Sequence, residues 1–510
     1  MSLNDFGILL AIIVYLVGMV WIGFKVMDRN KTVGDFYLGG RQLGPFVTAM
    51  SAEASDMSSW LLMGIPGLAY LSGISDAGWT IIGLAVGTYL NWLIVAKRLR
   101  QYSEKIEAIT IPEFFSKRFK DSKNILMFVA ALWIIVFFIP YTASGFVACG
   151  KLFNSLFGVN YHIAMIISAL VIVIYTMLGG FLAASTTDFI QSIIMTIALI
   201  IVVCFGIGTV GGLDAVFSNA TSLPGYLSMT SSYDVASHSA ISLSTLSIVS
   251  KVAWGLGYFG MPHILLRFMA IDDHKNLVIS RRVATIWVVI SMAVSVLIGI
   301  VALTMTKVGA LDVLVGSDSE TSIVRISHLL SQHGFIFALV AGLILSGILA
   351  STMSTSDSQL LAASSSVSND ILTGFFGLNY DQKKLLKISR VCLVVIALLG
   401  IVLAWNPNSS VFSIVSFAWA GFGASFGPVV LLALYWKNSN KWGALCGMIS
   451  GGALVFLWHF VISNLGGIFS IYELLPAFIL ALLINVVVSL LTGGASKEMI
   501  EDFDAVKGME

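Results

Sequence analysis

The sequence predicts an all-α polytopic membrane protein with about 13 transmembrane helices. Composition is the first observation: of 510 residues, 57% are hydrophobic and 11% charged, at a mean hydropathy of +0.94. A soluble chain carries about 25% charged residues, and no soluble core would absorb this much apolar surface. The second is that the apolar residues fall in runs of roughly 20, the length that crosses a bilayer. The third is that the connections between runs leave no room for a soluble domain. A net charge of +1 implies no large acidic or basic partner, nucleic acid included. Cys149, Cys204, Cys392 and Cys446 lie inside apolar runs without metal-ligand or disulfide spacing, and read as buried small hydrophobes.

In chain order the expected spans are 6–25, 45–71, 78–96, 124–154, 162–180, 186–210, 241–269, 283–306, 335–369, 386–405, 411–436, 442–463 and 470–492. The first begins near Phe6 without a basic leader or cleavage site and reads as a retained helix. Span 335–369 is too long and too polar for one plain helix. The longest connections are 97–123, 211–240 and 307–334. Threading the spans with the N-terminus outside puts 24 of the 28 Lys and Arg residues inside, Arg29 and Lys31 among them. That bias is the one the positive-inside rule expects, and it places the tail 493–510 in the cytoplasm of a cell-membrane protein.

Five spans carry residues unsuited to lipid. The second reads SAEASDMSSW at 51–60, with Glu53 and Asp56 among four serines and with Gly64 and Pro66 following. The sixth holds Asp188 in STTDFIQS. The seventh reads KVAWGLGYFGMPHILLRF from Lys251, the ninth GILASTMSTSDSQLLAASSSVSND from Gly347, and the eleventh FAWAGFGASFGP from Phe417. Ionisable groups at membrane depth mark a pathway or site, and irregular backbone is tolerated there only against protein or a water-filled cavity. Breaks in the second and seventh spans, five spans apart and oppositely oriented, fit two inverted five-span units, spans 2–6 and 7–11. The units would occupy 45–210 and 241–436 of a single transporter domain, with an extra helix at 6–25 before them and two helices at 442–492 after them. A break at Ala54–Ser59 frees carbonyl oxygens, and Ser351, Ser354, Thr355 and Ser358 lie on one helical face. Carbonyls and hydroxyls are the oxygens a small hard cation prefers.

LGGRQLGPFVTAMSAEASDMSSWLLMG, WGLGYFGMPHILLRFMA, MSTSDSQLL and SFAWAGFGASFGPVVL resemble the sodium/solute symporter family over about residues 6–495, and within it the bacterial branch that takes up proline. The resemblance implies a LeuT-like fold and uptake of L-proline driven by sodium, with no cofactor and no obligate protein partner. It implies a sodium site of the Ala54, Met57 and Ser351 carbonyls with the Ser354 and Thr355 hydroxyls, and Asp56 as the charge beside it. Substrate residues would be Ser58, Ser59 and Trp60, then Tyr141, Trp254, Tyr258, Pro262 and Trp419. A second cation or proton site would use Asp188, Asp357 and Ser358. Ser59, Met261, Glu53 and Asp357 depart from the expected pattern, and Lys251 is an added charge.

Each assignment has a plainer counterpart. Asp56 would cap a broken helix; Ser354 and Thr355 would bond back to their own helix; Trp254, Tyr258 and Tyr141 would be packing residues. Asp357 would sit in a watery inner vestibule. His263 and Arg267 read as an interfacial pair, Lys251 as a lysine snorkelling outward, and Phe417–Phe426 as part of a moving outer helix. Another small solute would fit the same fold. A sensor is disfavoured because about 18 residues follow the last span. A channel would conduct without saturable coupling. No triad, nucleotide loop or metal cluster points to an enzyme.

Overall fold

The computed structural model describes residues 2–27, 32–235 and 237–508; Arg29 and Lys31 fall outside them. Among the described residues, 10 helices are long and apolar enough to span a membrane. They cover all but three of the expected spans, and each of the three is interrupted or short. Residues 45–71 form the helix Pro45–Asp56, a π-helical turn Trp60–Gly64 and a short helix Ile65–Ser72. Residues 241–269 form Thr245–Val252, the 3-10 turns Ala253–Gly260 and the helix Pro262–Ala270. The fifth span is the 17-residue segment Tyr161–Met177.

Local chemistry explains these interruptions. Pro45 starts its helix at a position where no amide donor is needed. Pro262 does the same after Met261, whose extended backbone (φ −77°, ψ 106°) cannot continue a helix. Gly180 at φ 61° and ψ −171° takes a conformation that side chains resist. The fifth and sixth spans therefore meet at this residue without a loop. The sixth helix begins at Gly179, not 186, so Asp188 lies well inside it.

The ninth span departs from expectation in part, since its polar residues do not interrupt the α-helix before Ser365. Phe335–Ser365 is one continuous α-helix, which widens into π-helical turns at Ser366–Phe375. Several of its hydroxyls bond its own backbone: Ser346 bonds the Gly342 carbonyl at 2.8 Å, Thr352 that of Ile348 at 3.0 Å and Ser358 that of Ser354 at 2.9 Å. Self-bonded serines let so polar a helix stand among apolar neighbours. It packs against the first span and the sixth.

The eleventh helix, Val411–Tyr435, is not an outer element either, since Ala418–Phe426 are buried throughout. It lies against the seventh-span break. The cysteines also differ from expectation: Cys149 is buried, but Cys204 is exposed and Cys392 and Cys446 are half-exposed. In a bilayer an apolar residue faces lipid as readily as core. At one end of the bundle, the C-terminal helix Lys497–Lys507 docks on the 97–123 connection, where Asp502 meets Lys120 at 2.5 Å and Lys105 at 3.4 Å. At the opposite end a hairpin pairs Ser231–Asp234 with Ser239–Ser242.

Candidate functional site

The helix Pro45–Asp56 stops in the core of the bundle. Met57 leaves helical geometry (φ −73°, ψ 69°). The Asp56 carbonyl then takes donors from outside the helix ladder: the Ser58 amide at 2.8 Å, the Trp60 indole at 3.0 Å and the Tyr141 hydroxyl at 3.3 Å. A break deep in apolar surroundings survives only if its freed groups are satisfied in this way.

Four of the five expected sodium ligands converge beside it. The Ser354 hydroxyl lies 2.7 Å from the Ala54 carbonyl oxygen and 3.2 Å from that of Ser351. The Thr355 hydroxyl lies 3.5 Å and 3.1 Å from the same two oxygens. Two carbonyls and two hydroxyls, all in buried residues, thus face one another across the second and ninth spans. Met57, the fifth, caps the same helix one turn after Ala54.

The Asp56 carboxylate points to the seventh span instead. Its Oδ2 accepts from the Tyr258 hydroxyl at 2.6 Å. Tyr258 meets the Trp419 ring edge-on at 5.0 Å, and the Trp419 indole donates to the Trp254 carbonyl at 2.7 Å. Trp254 stacks on Phe412 at 5.0 Å and Tyr472 at 5.5 Å, forming the floor of a cavity of about 640 Å³ on the hairpin side. On the side of the 97–123 connection, Pro262, Arg267 and Ser358 line a narrow cavity of about 20 Å³. Between the two cavities Ser58, Ser59, Trp60, Tyr141, Tyr258 and Trp419 are all buried.

Asp188, Asp357 and Ser358 are assembled, but with a resident cation. The Arg267 guanidinium reaches Asp188 Oδ2 at 3.2 Å, the Ser358 hydroxyl at 2.5 Å and Ser51 Oγ at 3.1 Å. Ser51 also donates to Asp188 at 2.7 Å. His263 and Arg267 are 0% and 1% exposed, which overturns the interfacial reading of the pair. Among the described residues the Asp357 carboxylate accepts from Ser358 alone, at 3.1 Å, and it is fully buried rather than open to a vestibule. Lys251 does not snorkel freely: it pairs with Asp76 at 2.9 Å in the larger cavity.

Sequence reasoning missed the third span. Trp92 donates to Glu53 Oε1 at 2.8 Å, and the Asn91 amide to the Tyr258 carbonyl at 3.0 Å. An asparagine within an apolar run was the available signal, since an amide in hydrocarbon needs a partner.

The family model described as "Sodium:solute symporter family" matches residues 36–451. Over 491 residues the chain is 41% identical to the osmoregulated proline transporter OpuE of Bacillus subtilis, covering 96% of each. It is 40% identical over 488 residues to a sodium/proline symporter of Staphylococcus aureus, covering 94% of this chain and 92% of the other. Among solved structures, a substrate-bound outward-open Na⁺-coupled sialic acid symporter superposes at a TM-score of 0.78 with 18% identity, covering 97% of this chain and 99% of the other. MhsT in complex with L-phenylalanine superposes at 0.55 with 13% identity, covering 88% and 98%. These structural likenesses carry the fold, which is the LeuT-like one.

Proposed function

The chain belongs to the sodium:solute symporter family, and from that membership we propose that it is a secondary active transporter, coupling inward sodium flux to L-proline uptake by alternating access. The observation that carries this reading is the convergence of the Ala54, Ser351, Ser354 and Thr355 oxygens at the second-span break. Two carbonyls and two hydroxyls suit a dehydrated sodium ion, with the Met57 carbonyl completing the set. An ion there would tie the second span to the ninth. It would fix the break, and with it Ser58, Ser59 and Asp56.

Proline would lie on the Tyr258 side of the break. Its ring needs an apolar, aromatic wall, which Trp60, Tyr141, Trp254 and Trp419 supply, with Pro262 below. Its secondary ammonium needs an acceptor, and the second oxygen of Asp56 lacks a partner. Its carboxylate would take the Ser58 and Ser59 hydroxyls. Sodium and proline then tighten each other by the same factor. Arg267 serves as an internal counter-ion for Asp188 and Asp357. The Lys and Arg bias supports a cell-membrane location with the N-terminus outside.

Purified protein in liposomes, given radiolabelled proline and an inward sodium gradient, tests the proposal. Accumulation above equilibrium, absent with a potassium gradient and in Asp56→Asn, is expected. Uptake indifferent to sodium would sink it.

A further inference from the structure

Two carboxylates in the core lie without a cation among the described residues. Glu53 and Asp56 lie one turn apart on the helix Pro45–Asp56, at 1% and 0% exposure. Among the described residues neither forms an ion pair. Each has one oxygen satisfied, by the Trp92 indole at 2.8 Å and the Tyr258 hydroxyl at 2.6 Å. The other two oxygens, Glu53 Oε2 and Asp56 Oδ1, have no hydrogen-bond partner among the described residues.

Two neutral oxygens on the third span are in the same condition, Thr88 Oγ1 and Asn91 Oδ1. Both residues are buried, at 0% and 1% exposure. Asn91 is held in place by its amide nitrogen, which donates to the Tyr258 carbonyl at 3.0 Å, so its oxygen is the atom left over. Thr88 lies one turn before Asn91 and beside the Tyr258 side chain. At Asn91 the third span widens into π-helical turns, Asn91–Val95, a local distortion that is common where a helix carries function.

Buried acceptors almost always find a donor, and a buried carboxylate needs a positive partner. Oxygens from two helices, two of them anionic, thus meet at Tyr258, whose side chain lies against Asp56, Glu53 and Thr88 and whose carbonyl holds the Asn91 amide, and they are the kind a small hard cation requires. We propose that Glu53, Asp56, Thr88 and Asn91 form a second sodium site, separate from the one at Ser354 and Thr355, filled and emptied in each transport cycle. This rests on the sodium-coupled reading above. One sodium among two carboxylates leaves one net negative charge, the complement of the substrate's ammonium group. The site would therefore tie sodium binding to proline binding through Asp56, which faces both.

The test is the voltage of zero net proline flux in proteoliposomes holding the full-length chain, measured at several sodium gradients and, separately, across a pH gradient. The expected result is two sodium ions per proline for the unaltered protein and one for Glu53→Ala. Should that variant fail to fold, Asn91→Leu and Thr88→Val provide the second reading, with apparent sodium affinity lowered on the order of tenfold. A ratio of one in the unaltered protein overturns the site, as does a ratio of two that survives Glu53→Ala. A zero-flux voltage that follows the pH gradient makes the occupant a proton and overturns the sodium assignment. Absence of any sodium dependence in the unaltered protein would instead overturn the sodium-coupled reading itself.

Discussion

The Tyr258 hydroxyl donates a 2.6 Å hydrogen bond to Asp56 Oδ2. This bond joins the two broken helices at the level of their breaks, where neither backbone ladder is complete. Tyr258→Phe removes the donor and keeps the ring against Trp419. A buried charged acceptor left short of a partner costs about 2 kcal/mol, or roughly thirtyfold in an equilibrium constant. Proline uptake by Tyr258→Phe should show a weakened apparent affinity for proline of that order. Equal affinities in the two proteins would remove the bond from the mechanism.

The hydroxyls on the ninth span are not equivalent. Ser354 Oγ faces the Ala54 carbonyl, whereas Ser351 Oγ bonds its own helix at the Ile348 carbonyl, 2.8 Å away, and offers the site only its main-chain oxygen. Ser354→Ala should lower apparent sodium affinity on the order of tenfold or more, while Ser351→Ala stays within about 0.5 kcal/mol, as a substitution outside the site does. Sodium titration of uptake in the two variants separates them; similar losses in both would mean that the ligand set is misassigned.

That contrast shows what the sequence made legible. Broken helices, hydroxyl spacing and Asp56 were readable because each violates the chemistry of lipid contact within a short window. Partners were not readable, because they arrive from distant spans: Arg267 reaches Asp188 and Trp92 reaches Glu53 only once the helices pack. Polarity also misled at the ninth span, where serines bonded to their own backbone let the α-helix run on to Ser365 before it widens. The exposed Cys204 shows the same limit from the other side. In a membrane protein, hydropathy does not separate core from lipid-facing surface.

The Arg267–Asp188 pair, 1% and 0% exposed, yields a stability prediction. Removing one member of a buried pair costs about 3–5 kcal/mol, whereas replacing both with apolar groups restores much of it. Arg267→Met should therefore lower the unfolding temperature in detergent sharply, and Arg267→Met with Asp188→Leu should recover part of the loss. A single variant as stable as the parent would show that the pair is not an internal counter-ion.

At the C-terminal helix the electrostatics are those of a surface. Burial alone would raise the Asp502 carboxyl, but the hydrogen bond and charge of Lys120, joined by Lys105, outweigh it and hold the group below its usual value of 3.8. A depressed carboxyl contributes stability above its unfolded value, and the contribution fades as pH falls through the folded one. Docking of Lys497–Lys507 should thus be constant from neutral pH down to about 5 and weaken only below about pH 4. Exposed pairs are worth about 0–1 kcal/mol, and Met499, Phe503 and Val506 are buried beneath the helix. Asp502→Asn should accordingly leave the helix protected from amide exchange at pH 7; its full release would mean that charge, not apolar burial, holds the tail.

The seventh and eleventh spans approach backbone to backbone, and this gives the sharpest steric test. A methyl group on Gly260 would lie 2.2 Å from the Phe422 carbonyl oxygen and 2.9 Å from the Gly427 amide, neither of which can swing aside. On Gly257 it would lie 1.9 Å from the Trp419 indole nitrogen, which already bonds the Trp254 carbonyl. Gly260→Ala must push the eleventh helix away from the break, at a cost of about 1–3 kcal/mol or more for an overpacked core. It should also disturb the edge-on contact of Trp419 with Tyr258 beside the break. Gly18→Ala, with no atom within 4 Å of the added carbon, is the control, and helix propensity favours it. Proline uptake should be abolished in Gly260→Ala and normal in Gly18→Ala. Unimpaired uptake by Gly260→Ala would mean that the two helices are not in this close contact during transport.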